Sequence, residues 1–453
     1  MNLKNKRFLV AGLGKSGVAA AELLIRNKMS VRLFDGNENF DTDAFYKAHP
    51  AWKEIEIFLG SLTEEEMLKT DILVLSPGIP TDLPMVNDMR DLGVSIWGEI
   101  ELAYAFAKGS VLAITGTNGK TTTTALLGEI LKNYYRDVQV VGNIGIPFTS
   151  VAADTSEETV IAAEISSFQL ETIHTFAPKI TAILNITPDH LNRHHTMENY
   201  IAAKESIVKN QTADQICVLN YEDSILRSFG EHLHTKAVWF SSARELKDGL
   251  FLKDNVIYAA KDGAAEEIVK TEELKLLGKH NYENVMAAAA MALGFGVPLP
   301  NVREVLLKFT AVEHRIEYVT EKRGIRFYND SKATNPDAAI QGIGAMNRPT
   351  YLIGGGFDKE SSYDAWIEAF NGKVKELVLI GDTREKIAAA AKKHGFSAVT
   401  MADSMEEAVN HCYLRAASGD AVLLSPACAS FGMFVNYEER GKIFKKIVCD
   451  LEE

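Results

Sequence analysis

Residues Val111 to Lys132 read "VLAITGTNGKTTTTALLGEILK". The segment opens on apolar, β-prone residues from Val111 to Ile114, turns through Gly116 and Gly119, and continues as a helical pattern led by Lys120 and a run of threonines. Strand, glycine turn and helix together aim free backbone N–H groups at an anion. Gly116, Thr117, Asn118, Gly119, Lys120, Thr121 and Thr122 are therefore candidate ATP-binding residues. Lys120 would pair with β- and γ-phosphate oxygens, and the Thr121 hydroxyl would ligate Mg2+. The spacing departs from the standard phosphate loop, which has glycine where Ile114 stands here. A plain glycine turn carrying a surface lysine is the competing reading, and ATP is favoured over NAD for this segment.

A second glycine turn lies upstream, in "RFLVAGLGKSGVAAAELLIRNKMSVRLFD" from Arg7 to Asp35. Gly12, Gly14 and Gly17 sit where a chain turns tightly, admits a pyrophosphate and packs helix on strand, and Asp35 stands where a carboxylate meets a ribose hydroxyl. The geometry selects a phosphate, not a nicotinamide. A dinucleotide, a nucleotide-sugar and a structural turn all stay open.

Around these two turns, apolar β-rich runs alternate with helical patterns along the whole chain, which predicts parallel sheets covered by helices. Between Tyr221 and Leu277 the pattern is weaker and more polar. At 453 residues the chain exceeds one ordinary core, and about three domains are expected. The expected boundaries are 1–98, 99–311 and 312–453. Hydrophobic residues at 46% and charged residues at 24% fit a globular protein, and no segment approaches the roughly 18 apolar residues of a membrane span. The N-terminus lacks a signal-peptide pattern. Cys217, Cys412, Cys428 and Cys449 show neither metal nor disulfide spacing, so a cytoplasmic location is expected. A net charge of −13 argues against nucleic acid as a partner. Anionic small substrates would need local lysines and metal ions.

Later stretches supply candidates for phosphoryl transfer. "IAAEISSFQLE" puts Glu164 at the end of an apolar strand, where it would serve as a metal ligand or cap a helix. "LNITPDHLNRHH" ends a strand near Asp189 and His190, a histidine for metal or substrate, or an ordinary loop residue. Lys204, in the amphipathic "MENYIAAKESIVKN", reads on physics alone as a solvated lysine. "EHRIEYV" carries His314 and Arg315, and "YNDSKATNPDA" carries Asp330, Ser331, Lys332 and Thr334 ahead of a helix starting near Pro336. An arginine and a lysine from another domain would stabilise charge developing on the phosphates.

Taken in order, "GLGKSG", "LVLSPGIP", "GTNGKTT", "GNIGIP", "EISSFQLE", "TPDHLNRH", "YIAAK", "GKHNYENVMAA", "EHRIE", "NDSKATNP", "GGGFDK" and "LLSPACASFGMF" resemble the Mur ligase family over nearly the whole chain. The resemblance implies an α/β fold of three domains: a Rossmann-like N-terminal domain for a UDP-substrate, a central P-loop-type mononucleotide-binding ATPase domain, and a Rossmann-like C-terminal domain for an amino acid. It turns the first glycine turn into a UDP site, with Gly14, Lys15, Ser16, Asp35 and Ser76 lining it and Asn143 and His190 nearer the substrate's alanine. It implies ATP and two Mg2+ ions as cofactors, with Thr121 and Glu164 on one ion and His190 and Lys204 on the other. Lys204 would carry a CO2-derived carbamate, which reverses the solvated reading. Asn281, Asn284, Arg315 and Asp330 would contact ATP, and Lys332, Thr334, Lys359, Ser430 and Phe431 would orient D-glutamate. Lys120, His190, Lys204, Arg315 and Lys332 form the implied catalytic set. Gly432 departs from the family pattern, standing where many relatives carry an acid.

The activity implied is ATP-dependent amide formation between UDP-N-acetylmuramoyl-L-alanine and D-glutamate, by a monomer with no membrane partner. The competing classes are a nicotinamide dehydrogenase and a non-catalytic nucleotide-binding regulator. A folylpolyglutamate synthase or another muropeptide-adding enzyme would share the ATP loop, but "GLGKSG" disfavours the folate enzyme.

Overall fold

The computed structural model describes residues 3–143, 145–310, 313–358 and 361–452. Lys359 and the expected boundary at 311 and 312 lie outside the described residues.

The first sheet holds β1 (Arg7–Ala11), β2 (Ser30–Asp35), β3 (Ile57–Leu59), β4 (Ile72–Leu75) and β5 (Ser95–Gly98) in the order β3-β2-β1-β4-β5. Its neighbours run parallel. The order reverses between β1 and β4, and the loops leaving those two strands carry the first glycine turn and Ser76. Ligands in open α/β sheets bind at such a switch point.

The second sheet contains β6 (Ser110–Thr115), β7 (Val138–Gly142), β8 (Val160–Glu164), β9 (Ile180–Ile183), β10 (Ile216–Asn220), β11 (Lys236–Ser241), β12 (Gly249–Lys253), β13 (Val256–Lys261) and β14 (Ala264–Lys270). Their order is β14-β13-β12-β11-β10-β9-β6-β8-β7. β6 lies between β9 and β8, so the ATP-type loop, Glu164 and the chain towards His190 leave from adjacent strands. Side chains of β6 and β8 are buried almost throughout, as expected for central parallel strands covered on both faces.

The third sheet comprises β15 (Glu317–Lys322), β16 (Ile325–Asn329), β17 (Thr350–Gly354), β18 (Val374–Leu379), β19 (Val399–Met401) and β20 (Ala421–Leu424), ordered β15-β16-β20-β17-β18-β19. The helix predicted near Pro336 runs from Pro336 to Ala345, capped by the Asn335 side chain on the Ala338 amide.

The expectation of parallel sheets throughout is corrected at two edges. β12 pairs with β13, and β15 with β16, in antiparallel fashion. Asp254 and Asn255 (φ 49° and 61°) join the first pair, and Arg323 and Gly324 (φ 52° and 76°) the second. Two successive positive φ angles match the right-handed twist of a hairpin, so these two-residue turns return the chain antiparallel.

The chain divides into two compact units, Met1–Ile268 with Glu283–Val305, and Val269–Tyr282 with Leu306–Glu453. Within the first unit, the helix Glu99–Phe106 joins the first sheet to the second. Its Glu99 accepts from the amide and hydroxyl of Thr149 at 2.8 and 3.1 Å, and Glu101 accepts from the amides of His174, Thr175 and Phe176. Both carboxylates are buried, and burial pushes the Glu99 carboxyl up. One apolar core, including Phe8, Val10, Trp97, Ile100, Val111 and Phe148, continues across this helix.

Candidate active site

In the first glycine turn, the Gly17 Cα lies so near the turn that an added Cβ would stand 1.7 Å from the Gly12 carbonyl oxygen. Only glycine lets the helix Lys15–Arg26 start this close to its strand. The Asp35 carboxylate accepts from the Leu13 amide at 3.0 Å and from the Asn37 amide at 3.0 Å, while the Ser76 hydroxyl donates to the Gly12 carbonyl at 2.9 Å. Asp35 and Ser76 thus close the turn that presents Gly14, Lys15 and Ser16. The Lys15 ammonium donates to the Gly145 carbonyl beside Asn143.

The second turn is built differently. Gly119 holds φ +86° and caps the helix Lys120–Tyr134 in the left-handed region, where a Cβ would lie 2.2 Å from Asn284 Oδ1. The loop is pinned to the segment that follows β9: the Thr117 amide donates to the Asn185 carbonyl at 2.9 Å, and the Asn118 amide to Asn185 Oδ1 at 2.8 Å. The Thr117 hydroxyl donates to the Thr187 carbonyl at 3.1 Å and lies 3.0 Å from the Tyr200 hydroxyl. Lys120 folds back over the loop, with Nζ at 2.9 Å from both the Gly116 and Thr117 carbonyls. Asn284 accepts from the Thr123 hydroxyl at 3.2 Å, and Asn281, one turn earlier, donates to the Leu277 carbonyl at 2.7 Å.

Lys204 is 1% exposed, which overturns its reading as a solvated lysine. Its Nζ donates to the Gly116 carbonyl at 2.7 Å and lies 4.7 Å from the centre of the Tyr200 ring. Burial, with the Lys120 charge second, pulls the amine down to about 7, against the opposing pull of Asp189. A buried amine that loses its proton near neutrality is a nucleophile, which an exposed lysine at that pH is not.

Glu164 ends β8 almost fully buried, and its Oε1 accepts from Asn143 Nδ2 at 3.3 Å. His190 is exposed and takes φ 53°, the left-handed region that side chains other than glycine adopt at a cost. Its ring lies 3.4 Å from the Asp189 carboxylate and meets Phe168 edge-on at 4.9 Å. Among the described residues no three His, Cys, Asp or Glu side chains cluster as for a metal ion. The candidate ligands Thr121, Glu164, His190 and Lys204 are a mixed set, in which an unmodified lysine contributes no oxygen.

In the second unit, Asp330 follows β16 and is buried. It accepts from the Ser425 hydroxyl at 2.7 Å and the Ile316 amide at 3.3 Å, and burial pushes its carboxyl up to about 7. The Lys332 amide donates to the His314 carbonyl at 3.0 Å, which joins the segment of Arg315 to that of Lys332. The Lys332 ammonium lies 5.6 Å from the Tyr437 ring, and Thr334 pairs its amide with the Lys332 carbonyl. Ser430 is buried, whereas Phe431 is half exposed and meets Phe357 edge-on at 6.2 Å. Gly432 adopts φ +89°, a left-handed conformation that favours glycine over any residue with a side chain.

Sequence reasoning missed Arg440. This side chain is wholly buried, and it donates to the Ser331 hydroxyl, the Ser331 carbonyl and the Cys428 carbonyl at 2.9, 2.8 and 3.0 Å, so it ties the loops of Lys332 and Ser430 together. Nothing in "NYEERGK" marks one arginine as interior. Asn185, which brackets Asn118, also went unread.

Comparison with known proteins fits this geometry. Residues 6–98 match the family model of the Mur ligase MurD-like N-terminal domain, 114–292 that of the Mur ligase middle domain, and 314–428 that of the Mur ligase glutamate ligase domain. The chain belongs to the Mur ligase family. It is 54% identical to the UDP-N-acetylmuramoylalanine–D-glutamate ligase of Lachnoclostridium phytofermentans over all of both chains. It is 51% identical to the ligase of the same name from Lachnospira eligens, again over all of both. A UDP-N-acetylmuramate-alanine ligase from Thermotoga maritima superposes with a TM-score of 0.60 at 20% identity, covering 98% of this chain and 99% of the other. At that identity the likeness speaks for the three-domain α/β fold alone.

Proposed function

We infer that this chain joins D-glutamate to the L-alanine carboxylate of UDP-N-acetylmuramoyl-L-alanine, consuming ATP and releasing ADP and phosphate, in peptidoglycan precursor synthesis. It is an ATP-dependent amide-forming ligase. The observation that carries the reading is the convergence of Lys120 and Lys204 on the Gly116 carbonyl, inside a loop pinned by Asn185. A dehydrogenase has no use for such a loop, and the identity of full-length relatives supports the choice of amino acid.

A carboxylate resists an amine because it is anionic and lacks a leaving group. A carboxylate oxygen of the alanine attacks the γ-phosphorus, the bond to the ADP oxygen breaks, and an acyl phosphate results. The neutral amine of D-glutamate then attacks the acyl carbon, phosphate departs, and the amine proton is lost to solvent or base. Lys120 offsets charge on the transferring phosphoryl group, and the loop amides from Gly116 to Thr122 hold the nucleotide. Gly14, Lys15, Ser16, Asp35, Ser76, Asn143 and His190 take the UDP-substrate. Asn281, Asn284, Arg315 and Asp330 contact ATP, and Lys332, Thr334, Lys359, Ser430 and Phe431 take D-glutamate.

Magnesium fits the donor set if Lys204 is carbamylated: its buried amine, neutral above about 7, can add CO2 to form an N–C bond with loss of a proton. Thr121 and Glu164 would then hold one ion, and His190 and the Lys204 carbamate the other. Bound ions would screen the repulsion between two anions brought within bonding reach. We assign the UDP-substrate, ATP and amino acid to segments 1–98, 99–311 and 312–453 of a cytoplasmic monomer. No helix among the described residues is long and apolar enough to cross a membrane.

The test is phosphate release with UDP-N-acetylmuramoyl-L-alanine and a panel of L- and D-amino acids. D-glutamate alone should give rapid, ATP-dependent release. Release with another amino acid at equal rate, or product without ATP consumption, overturns the reading.

A further inference from the structure

His190 is followed directly by the short helix Leu191–His194, whose Arg193 turns back towards the first sheet. Its side chain is only 12% exposed. One terminal nitrogen donates to the Pro77 carbonyl at 2.8 Å; the other donates to the Ile79 carbonyl at 3.0 Å and to Glu171 Oε2 at 3.0 Å. Glu171 also accepts from the Thr81 hydroxyl at 3.2 Å, so arginine and acid hold the same loop from two sides. That loop begins at Ser76, whose hydroxyl closes the first glycine turn on Gly12.

The guanidinium has a second contact, lying 4.0 Å from the centre of the Phe168 ring. Phe168 is shared: His194 stacks with it at 5.4 Å and 26°, and His190 meets its edge at 4.9 Å. His194 is itself fixed by the Ser167 hydroxyl at 2.9 Å and by Glu171 at 3.3 Å, with burial pulling it down to about 4, so it stays neutral and adds no charge beside Arg193. The Nε–H of Arg193 is buried without an acceptor, so the pose does not maximise the arginine's own bonding. It follows the two loop carbonyls on one side and the aromatic ring on the other.

We propose that Arg193 is a positioning residue that couples the UDP-substrate loop 76–79 to His190. By fixing that loop against Phe168, it sets where the alanine carboxylate lies relative to the phosphate loop. The inference rests on the assignment of Ser76 and His190 to the UDP-substrate site. A lysine supplies one point of charge but cannot reach two carbonyls and an acid while lying flat on a ring, so Arg193→Lys is only partly conservative.

The experiment measures Arg193→Met, Arg193→Lys and His190→Ala in the full chain, reading KM for each of the three substrates, kcat, UDP-substrate affinity by calorimetry without ATP, and the melting temperature. Arg193→Met should raise KM and Kd for the UDP-substrate about tenfold or more, with KM for ATP and D-glutamate within about twofold, and Arg193→Lys should fall between it and the parent. Unchanged UDP-substrate affinity, or an equal rise in all three KM values, overturns the proposal. Should Arg193→Met fail to fold, Arg193→Lys carries the same test. If His190→Ala leaves every parameter unchanged, the site assignment fails first; if it cripples the enzyme while both Arg193 variants bind normally, the coupling alone is wrong.

Discussion

The two glycine turns look alike as strings of residues and differ in what surrounds them. The first is closed by an acid and a hydroxyl, Asp35 on the Leu13 amide and Ser76 on the Gly12 carbonyl. The second is closed by amines, Lys120 on the Gly116 and Thr117 carbonyls and Lys204 on Gly116. An acid-closed turn positions a ligand without driving chemistry on it. Lys120 beside a helix N-terminus attracts a polyanion and stabilises charge that grows during transfer, while a carbamylated Lys204 would hold a metal ion next to it. The contrast teaches that a glycine fingerprint reports backbone shape, and that neighbouring charge decides the use.

Four substitutions break or sharpen the contrast. Lys120→Ala is expected to lower ATP-dependent phosphate release by about a hundredfold or more. UDP-substrate affinity, followed by calorimetry, should be retained; loss of both would mean that the two turns are not independent. Lys204→Ala comes next, with activity lost and partly restored by added short carboxylates. Because the Lys204 amine sits at about 7, bicarbonate-dependent activation of the parent enzyme should rise as pH passes upward through that value and fade below it, where the ammonium form cannot add CO2. A pH-independent response would remove the carbamate.

Gly17→Ala should follow, since its Cβ would stand 1.7 Å from a backbone oxygen that cannot rotate away. A loss of about 2–3 kcal/mol in denaturant unfolding is expected, with UDP-substrate affinity falling. Asp35→Asn is the mildest: one acceptor for the Leu13 amide can survive, so stability should drop by about 1 kcal/mol. NADH fluorescence titration of this variant and of the parent should show no binding, and tight binding would restore the dinucleotide reading.

Much of this was legible from the sequence because the information is local. Strand, glycine turn and helix follow one another from Ser110 to Tyr134, and Pro336 after Asn335 announces a helix start. The hairpins were equally local and still went unread. "DN" at Asp254 and Asn255 and "RG" at Arg323 and Gly324 are two-residue turns, hidden because neither is the Asn-Gly or Asp-Gly pair that marks such a turn in a sequence. Lys204, Arg193 and Arg440 were not legible, for a different reason. Their environments come from partners 88, 116 and 109 residues away, and no periodicity of the helices that carry them records such a contact. For Lys204, the expectation of a role came from the collinear family motifs and not from its own helix.

The helix Glu99–Phe106 limits how this protein can be rebuilt. With two interior carboxylates satisfied by loops of the neighbouring sheet, a chimera that grafts a foreign nucleotide-sugar module, helix included, with its junction at residue 107 would remove the acceptors and strand the donors of those loops. Any transplant has to carry Thr149 and the 174–176 amide loop along with the helix, so the unit of exchange is larger than the sheet it appears to end.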